Sequence, residues 1–310
     1  MSYRSWGGNM KQQIKQEIQD LVKGEVLFSE PLKKYTSFKI GGPAEVLVIP
    51  KDTDDLQSLI SYLSRYTIPY QILGNGTNLL ISDQGLSKVV IKMTDLFNWI
   101  KFEGNKIRAG AGTKLPVIAK KAAERGLSGL EFAAGLPASV GGAVIMNAGA
   151  GNLGSIGDLI TQVKVISPTG KLKQYQRNEL DFSYRQSSLQ EKEEIVLEVE
   201  LELRSADKES VHNKIQELLL KRKQTQPLAM PNAGSVFKNP PGDSAGRLID
   251  QAGGKGLRVG DAQVSTKHAN FIVNLGTASA QDVLDLICKV KRLVDDRCGV
   301  KLETEIVYLD

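Results

Sequence analysis

Five short stretches of this chain carry residue types that can do chemistry. Gly74-Asn-Gly-Thr-Asn78 follows an apolar run, and glycines there let backbone N–H groups cradle an anion such as a pyrophosphate. Taken alone it reads as a tight turn. Its spacing matches neither G-x-G-x-x-G nor G-x-x-x-x-G-K-[ST], so neither a Rossmann dinucleotide site nor a P-loop is supported. Residues 135–157 are glycine-rich yet interleaved with apolar residues throughout. Pro137, Ser139, Gly141, Gly142, Asn147 and Gly149 supply the turns, donors and close approach that a long cofactor lying on backbone needs. The alternative is a loop packed against another domain. The first loop lies roughly sixty residues upstream, and two cooperating phosphate-binding loops are favoured over two idle ones.

The third stretch is Ser183-Tyr-Arg-Gln-Ser-Ser188. An arginine among small polar residues can clamp a carboxylate through two parallel hydrogen bonds, although in isolation it is a surface arginine. The fourth, Pro231 to Pro240 (PNAGSVFKNP), sets Ser235 among small neighbours. Ser235 lies in no G-x-S-x-G and the only histidines are His212 and His268, so Ser235 reads as a proton or hydrogen-bond donor rather than a nucleophile. The fifth is Glu305 in a terminal strand. Alternation puts Glu303 and Glu305 on one face with Val307 and Leu309, opposite Val300, Leu302, Thr304, Ile306 and Tyr308, and parity does not choose between the two glutamates. Cys288 is expected in the core beside Leu286 and Ile287, and Cys298 at a helix end. Two such cysteines and two histidines build no conventional zinc site, and no metal is expected.

Helix and strand patterns alternate along the chain, which makes the class mixed α and β. Residues 11–23, 53–63, 117–125, 211–222 and 279–298 carry helical spacing, with Thr53 and Ser279 as N-caps and Gly126 and Gly299 as terminators. In the fourth of these Val211, Ile215, Leu218, Leu219 and Arg222 form the line. Strands are expected at 44–49, 72–73, 89–91, 106–109, 163–166, 195–203, 271–274 and 300–309. In 195–203, Ile195, Leu197, Val199, Leu201 and Leu203 face one way and Glu198, Glu200 and Glu202 the other. The polar stretch 204–209 marks a domain boundary.

Composition narrows the classes further. Of 310 residues, 41% are hydrophobic and 24% charged, ordinary globular usage that excludes a disordered or coiled-coil chain. The net charge of +5 suits an anionic small ligand, and no segment joins a basic cluster to interleaved aromatics as a nucleic-acid binder would. The most apolar run, Ile195 to Leu203, is short and holds three glutamates, so no membrane span is expected. The first ten residues lack a signal-peptide core, and a cytoplasmic protein is expected.

Taken in order, Thr36 to Gly42 (TSFKIGG), GNGTNLL (74–80), GLPASVGGAVIMNAGA (135–150), SYRQS (183–187), PNAGSVFKNP (231–240), residues 247–274 and LETEI (302–306) resemble the UDP-N-acetylenolpyruvoylglucosamine reductases. The resemblance spans most of the chain from about residue 28. It implies an α+β architecture: a two-subdomain FAD domain of the vanillyl-alcohol oxidase/p-cresol methylhydroxylase type, plus a C-terminal α+β substrate domain. Residues 1–27 would be an extension and helix, 28–205 the FAD domain (about 28–95 and 96–205), and 206–310 the substrate domain. FAD would be held noncovalently by Gly74, Asn75, Gly76, Thr77, Asn78, Leu79, Gly135, Ser139, Gly141, Gly142, Asn147 and Gly149. Arg185, Ser235 and Glu305 fall at the catalytic positions, and Tyr184, Arg222, Asn239 and His268 at substrate-binding ones.

The implied reaction reduces UDP-N-acetylglucosamine enolpyruvate with NADPH in peptidoglycan precursor synthesis, hydride reaching the vinyl carbon by way of the flavin. Arg185, with Glu305 if protonated, would meet charge developing on the substrate carboxylate, and Ser235 would protonate the adjacent carbon. Only Gln186 to Ile195 separates the arginine motif from the next strand, so the chain resembles the branch without a tyrosine-bearing lid loop. A monomer is expected, with no partner beyond substrate and NADPH. Two other readings stand beside this one: a flavin oxidase or dehydrogenase of alcohols on the same fold, and a non-enzymatic nucleotide- or nucleic-acid-binding module. The first leaves the Arg185, Ser235 and Glu305 set unexplained.

Overall fold

The computed structural model describes residues 10, 12–93 and 97–310; the remainder of the expected extension over residues 1–10 lies outside them. The chain forms two compact units, each discontinuous in sequence. The first comprises Met1–Phe28, Glu45–Asn75 and Ser87–Leu220, and the second Ser29–Ala44, Gly76–Leu86 and Lys221–Asp310.

In the first unit, strands Leu172–Gln176, Ile160–Ile166, Ile195–Glu202, Lys106–Gly110 and Ile100–Glu103 lie side by side in that order, antiparallel throughout. Their buried face joins the helices Gln12–Leu21, Thr53–Arg65 and Leu115–Ala123 in one apolar core. Along Ile195–Glu202 the glutamates turn outward as alternation requires, with Glu198 meeting Arg108 and Glu200 meeting Lys106 across the sheet. Val196 is buried as well, because the register against Ile160–Ile166 shifts between Val196 and Glu198.

In the second unit a three-stranded antiparallel sheet (Arg258–Val259, Ala262–Val264, Ile272–Asn274) is covered by the helix Ala280–Cys298. That helix buries Val283, Leu286, Ile287, Val290 and Val294 at helical spacing. Ser279 caps it in a reciprocal box with Asp282, and Gly299 ends it at φ +67°. Leu79–Ile81 pairs in parallel with Val307–Leu309.

Several local expectations give way. The cap of Thr53–Arg65 is Asp52, whose carboxylate accepts from the Asp55 N–H at 2.8 Å, one residue ahead of Thr53. The next helix starts at Leu115 because Pro116 is compatible with a first turn. Leu219 is 36% exposed instead of packed, at a groove bordered by Pro116, Ala123 and His212. Cys288 is exposed, not core: one residue past Ile287 the helix has rotated about 100° toward solvent. The terminal segment is not one alternating strand. Residues 303–305 pair with 236–238 and residues 307–309 with 79–81. The chain bends at Ile306 between these partners, so burial falls on Leu302, Ile306 and Leu309 and the parity resets.

Candidate functional site

In the first unit the structure brings two of the predicted loops together. An added Cβ at Gly74 would stand 2.6 Å from the Ser139 hydroxyl, and the Asn75 amide donates to the Pro137 carbonyl. Ser139 caps the short helix Val140–Ile145. The first N–H groups of that helix are taken: Val140 donates to the Thr113 carbonyl, Gly141 to Ala111 and Gly142 to the Ser139 hydroxyl. Gly141 is tightly packed, since a Cβ there would lie 3.0 Å from that of Ala111. Gly149 is likewise pressed against Gly154 and Ser155, and Gly135 closes a short 3-10 turn.

Asn147 is buried, with φ +41°. Its side-chain amide donates to the Ser183 carbonyl at 2.8 Å and accepts from the Gly157 N–H at 3.0 Å, so both ends are spent on protein. The Ser183 bond ties the hairpin Phe182–Ser187 to the glycine-rich segment, and the Ser187 hydroxyl adds a second tie to the Ile145 carbonyl at 2.7 Å. Arg185 sits at the hairpin tip in the left-handed region, φ +60°. Its guanidinium donates to the Gly149 carbonyl at 3.2 Å and lies 4.8 Å from the ring centroid of the exposed Tyr184.

In the second unit, Ser235 and Glu305 come together through backbone. The Glu305 N–H donates to the Val236 carbonyl at 2.8 Å, and the Lys238 N–H to the Glu303 carbonyl at 2.9 Å. Ser235 and Glu305 are half-buried, whereas the Glu303 side chain is 77% exposed and pairs with Lys238. Asn78 joins the same cluster: its amide donates to the Glu305 carbonyl at 3.3 Å, and its own carbonyl accepts from the Val307 N–H at 3.0 Å. The strand beginning at Leu79 follows directly.

Asn239 and His268 both contact the start of the helix Ala245–Gln251. The Asn239 side-chain Oδ1 accepts from the Ala245 N–H at 3.0 Å, and a Cβ at Gly246 would be 3.2 Å from His268 Cε1. Burial, and then the Lys255 charge, holds the His268 imidazole below its ordinary range. Arg222 is half-buried near the end of its helix, and burial lowers the pKa of its guanidinium. Two residues carried no sequence cue for the tasks they perform: Asn270, which grips the Ser235 segment, and Asn147, as a tie to the Arg185 hairpin. Neither has a local pattern that marks it, because each bonds residues more than thirty positions away.

The loop at 76–78 fits a phosphate-bearing cofactor. Among the described residues, the N–H groups of Gly76, Thr77 and Asn78 meet no protein acceptor. Gly76 has φ +61°, and a Cβ there would fall 2.0 Å from the Tyr35 carbonyl oxygen, so only glycine keeps this course. Successive free donors of this kind suit the oxygens of a diphosphate.

Comparison with known proteins agrees with that fit. Residues 44–175 match the family described as FAD binding domain, and residues 226–309 match the C-terminal domain of UDP-N-acetylenolpyruvoylglucosamine reductase. The chain is 46% identical to UDP-N-acetylenolpyruvoylglucosamine reductase 2 of Symbiobacterium thermophilum, over 96% of each chain. It is 41% identical to the reductase of Bacillus subtilis, over 95% of this chain and 97% of that one. A crystal structure of the reductase from Thermus caldophilus superposes with TM-score 0.79 at 42% identity, covering 93% of this chain and 99% of the other.

Proposed function

Because the chain belongs to the UDP-N-acetylenolpyruvoylglucosamine reductase family, we propose that it reduces UDP-N-acetylglucosamine enolpyruvate to UDP-N-acetylmuramate with NADPH, in the cytoplasm, for peptidoglycan precursor synthesis. It is an FAD-dependent oxidoreductase. When bound, the flavin relays hydride from NADPH to the vinyl carbon of the substrate. The observation that carries the assignment of roles is the backbone pairing of Glu305 with Val236, which holds a serine hydroxyl and a carboxyl on adjoining segments.

Ser235 donates the proton to the carbon next to the substrate carboxylate. Glu305, in its protonated form, shares in stabilising that carboxylate as its negative charge grows. By the family resemblance Arg185 is assigned to the same developing charge; its hairpin is held within its own unit by Asn147 and Ser187. Gly76 to Asn78 would offer N–H groups to the cofactor diphosphate, and the 135–149 segment is assigned to the cofactor by the family resemblance. Asn239, His268, Tyr184 and Arg222 meet the nucleotide-sugar; Arg222, half-buried, is suited to its diphosphate.

The chain reads as the branch without a tyrosine-bearing lid. What lies between Arg185 and the strand at Ile195 is the return of a two-residue hairpin and the single helical turn Ser188–Glu191. Among the described residues no helix is long and apolar enough to cross a membrane.

The test is oxidation of NADPH dependent on the enolpyruvyl nucleotide, followed on protein showing flavin absorbance. Acid precipitation should leave the FAD in the supernatant. NADPH oxidation indifferent to the nucleotide would overturn the substrate assignment, and flavin retained by the pellet would overturn noncovalent binding.

A further inference from the structure

The segment that carries Ser235 is held on two edges, and one of them is not a strand. On one side Glu305 and Glu303 receive it in antiparallel pairing. On the other side the chain from Ser265 to Phe271 turns back on itself: the Ser265 hydroxyl accepts from the Lys267 and His268 N–H groups, and the Phe271 N–H donates to the His268 carbonyl. A turn cannot present a ladder of backbone groups to a neighbour. Yet Val236 and Phe237 are fully buried, so their peptide groups need partners.

Asn270 supplies them. Its backbone carbonyl accepts from the Val236 N–H at 2.9 Å. Its side-chain Oδ1 accepts from the Phe237 N–H at 2.9 Å, and its Nδ2 donates to the Phe237 carbonyl at 2.8 Å. The carboxamide has the donor and acceptor of a peptide group, and here it stands in for the missing strand. It is 4% exposed, so water does not replace either bond. Its own N–H donates to His268 Nδ1 at 3.3 Å.

We infer that Asn270 is a positioning residue for the reduction, fixing the 235–237 backbone so that the Ser235 hydroxyl stays in register with Glu305. The inference rests on the reading of Ser235 as proton donor. Val236 is the link: its N–H is held by Asn270 and its carbonyl by Glu305, directly after Ser235. Releasing the Asn270 edge lets the segment pivot on the remaining one, and a displacement of about 1 Å at a reacting group costs on the order of 10² in rate. Asn is specified over its relatives by chemistry. Asp keeps the acceptor and loses the donor, while Ser is too short to span both groups of Phe237.

The experiment is a double-mutant cycle on the holoenzyme, reading two rates by stopped flow: flavin reduction by NADPH, and flavin reoxidation by the enolpyruvyl nucleotide. Asn270→Asp should slow reoxidation at least tenfold and change reduction less than about twofold. Placed on Ser235→Ala, the same substitution should change reoxidation less than about threefold, since the group it positions is gone. Asn270→Ser, which empties the slot without adding charge, is read in the same way should Asn270→Asp lose its flavin. Equal factors in the two backgrounds, or reduction and reoxidation falling together, would overturn the inference alone. Wild-type reoxidation in Ser235→Ala would instead overturn the proton-donor reading and this inference with it.

Discussion

Glu303 and Glu305 present a sharp test, because they are the same residue type two positions apart on one short segment. Their backbones pair with neighbouring residues of the same partner, Glu303 with Lys238 and Glu305 with Val236. Their surroundings differ. The Glu303 side chain is 77% exposed and faces the ammonium of Lys238 at 3.4 Å. An exposed pair of this kind contributes about 0.2–1 kcal/mol, so removing the charge should alter turnover less than about threefold. Glu305 is half-buried beside the Ser235 segment, and its carbonyl is held by Asn78. Loss of a positioned acid costs about 10²–10⁴ in rate, and Glu305→Gln keeps the shape while removing the ionisable proton. The measurement is reoxidation of NADPH-reduced enzyme by the enolpyruvyl nucleotide, for Glu303→Gln and Glu305→Gln at equal flavin content. Glu305→Gln should fall by about 10² or more, with flavin reduction unchanged. Equal losses, or a larger loss for Glu303→Gln, would refute the assignment. So would a Glu305→Gln enzyme impaired equally in both half-reactions.

Three further substitutions concern stability. Gly234 has φ +77° with open space around it, and Gly234→Ala should cost only the strain of a left-handed residue, about 1–2 kcal/mol by urea denaturation. Gly76→Ala adds a clash with the Tyr35 carbonyl and should cost more and lower the flavin-to-protein ratio; equal losses for the two variants would contradict the close approach at Gly76. Burial and Lys255 depress the His268 pKa in the folded state, so the unfolded chain binds the proton more readily. Its contribution is therefore fully present above the unfolded value near 6.5 and is lost as pH falls through that value toward the lower folded one. The drop in urea midpoint between pH 7.5 and pH 5 should be smaller in His268→Gln than in the wild type, and identical drops would rule this out.

Much of the architecture was legible along the chain. The final helix is an example: its apolar spacing, the Ser279 cap and Gly299 are all local devices, and each lies where the pattern puts it. The strands near residues 44, 163 and 195 were equally plain, because a half-buried strand must alternate or run apolar whatever it packs on. The seven motifs in order pointed to the family, and with it to FAD and NADPH, since ligand contacts constrain residue types one loop at a time. Tertiary structure decided what depends on partners distant in sequence. Parity could not separate Glu303 from Glu305, because exposure is set by Lys238 and Val236 on another segment. It also failed over residues 300–309, where the chain changes partner at Ile306. Gly141 and Gly149 read as places for a cofactor, and the fold adds a packing constraint of its own, the close approach of Ala111 and of Ser155. Asn270 was invisible because a carboxamide acquires a strand's function only when a turn places it beside an otherwise unpaired peptide group, here that of Phe237.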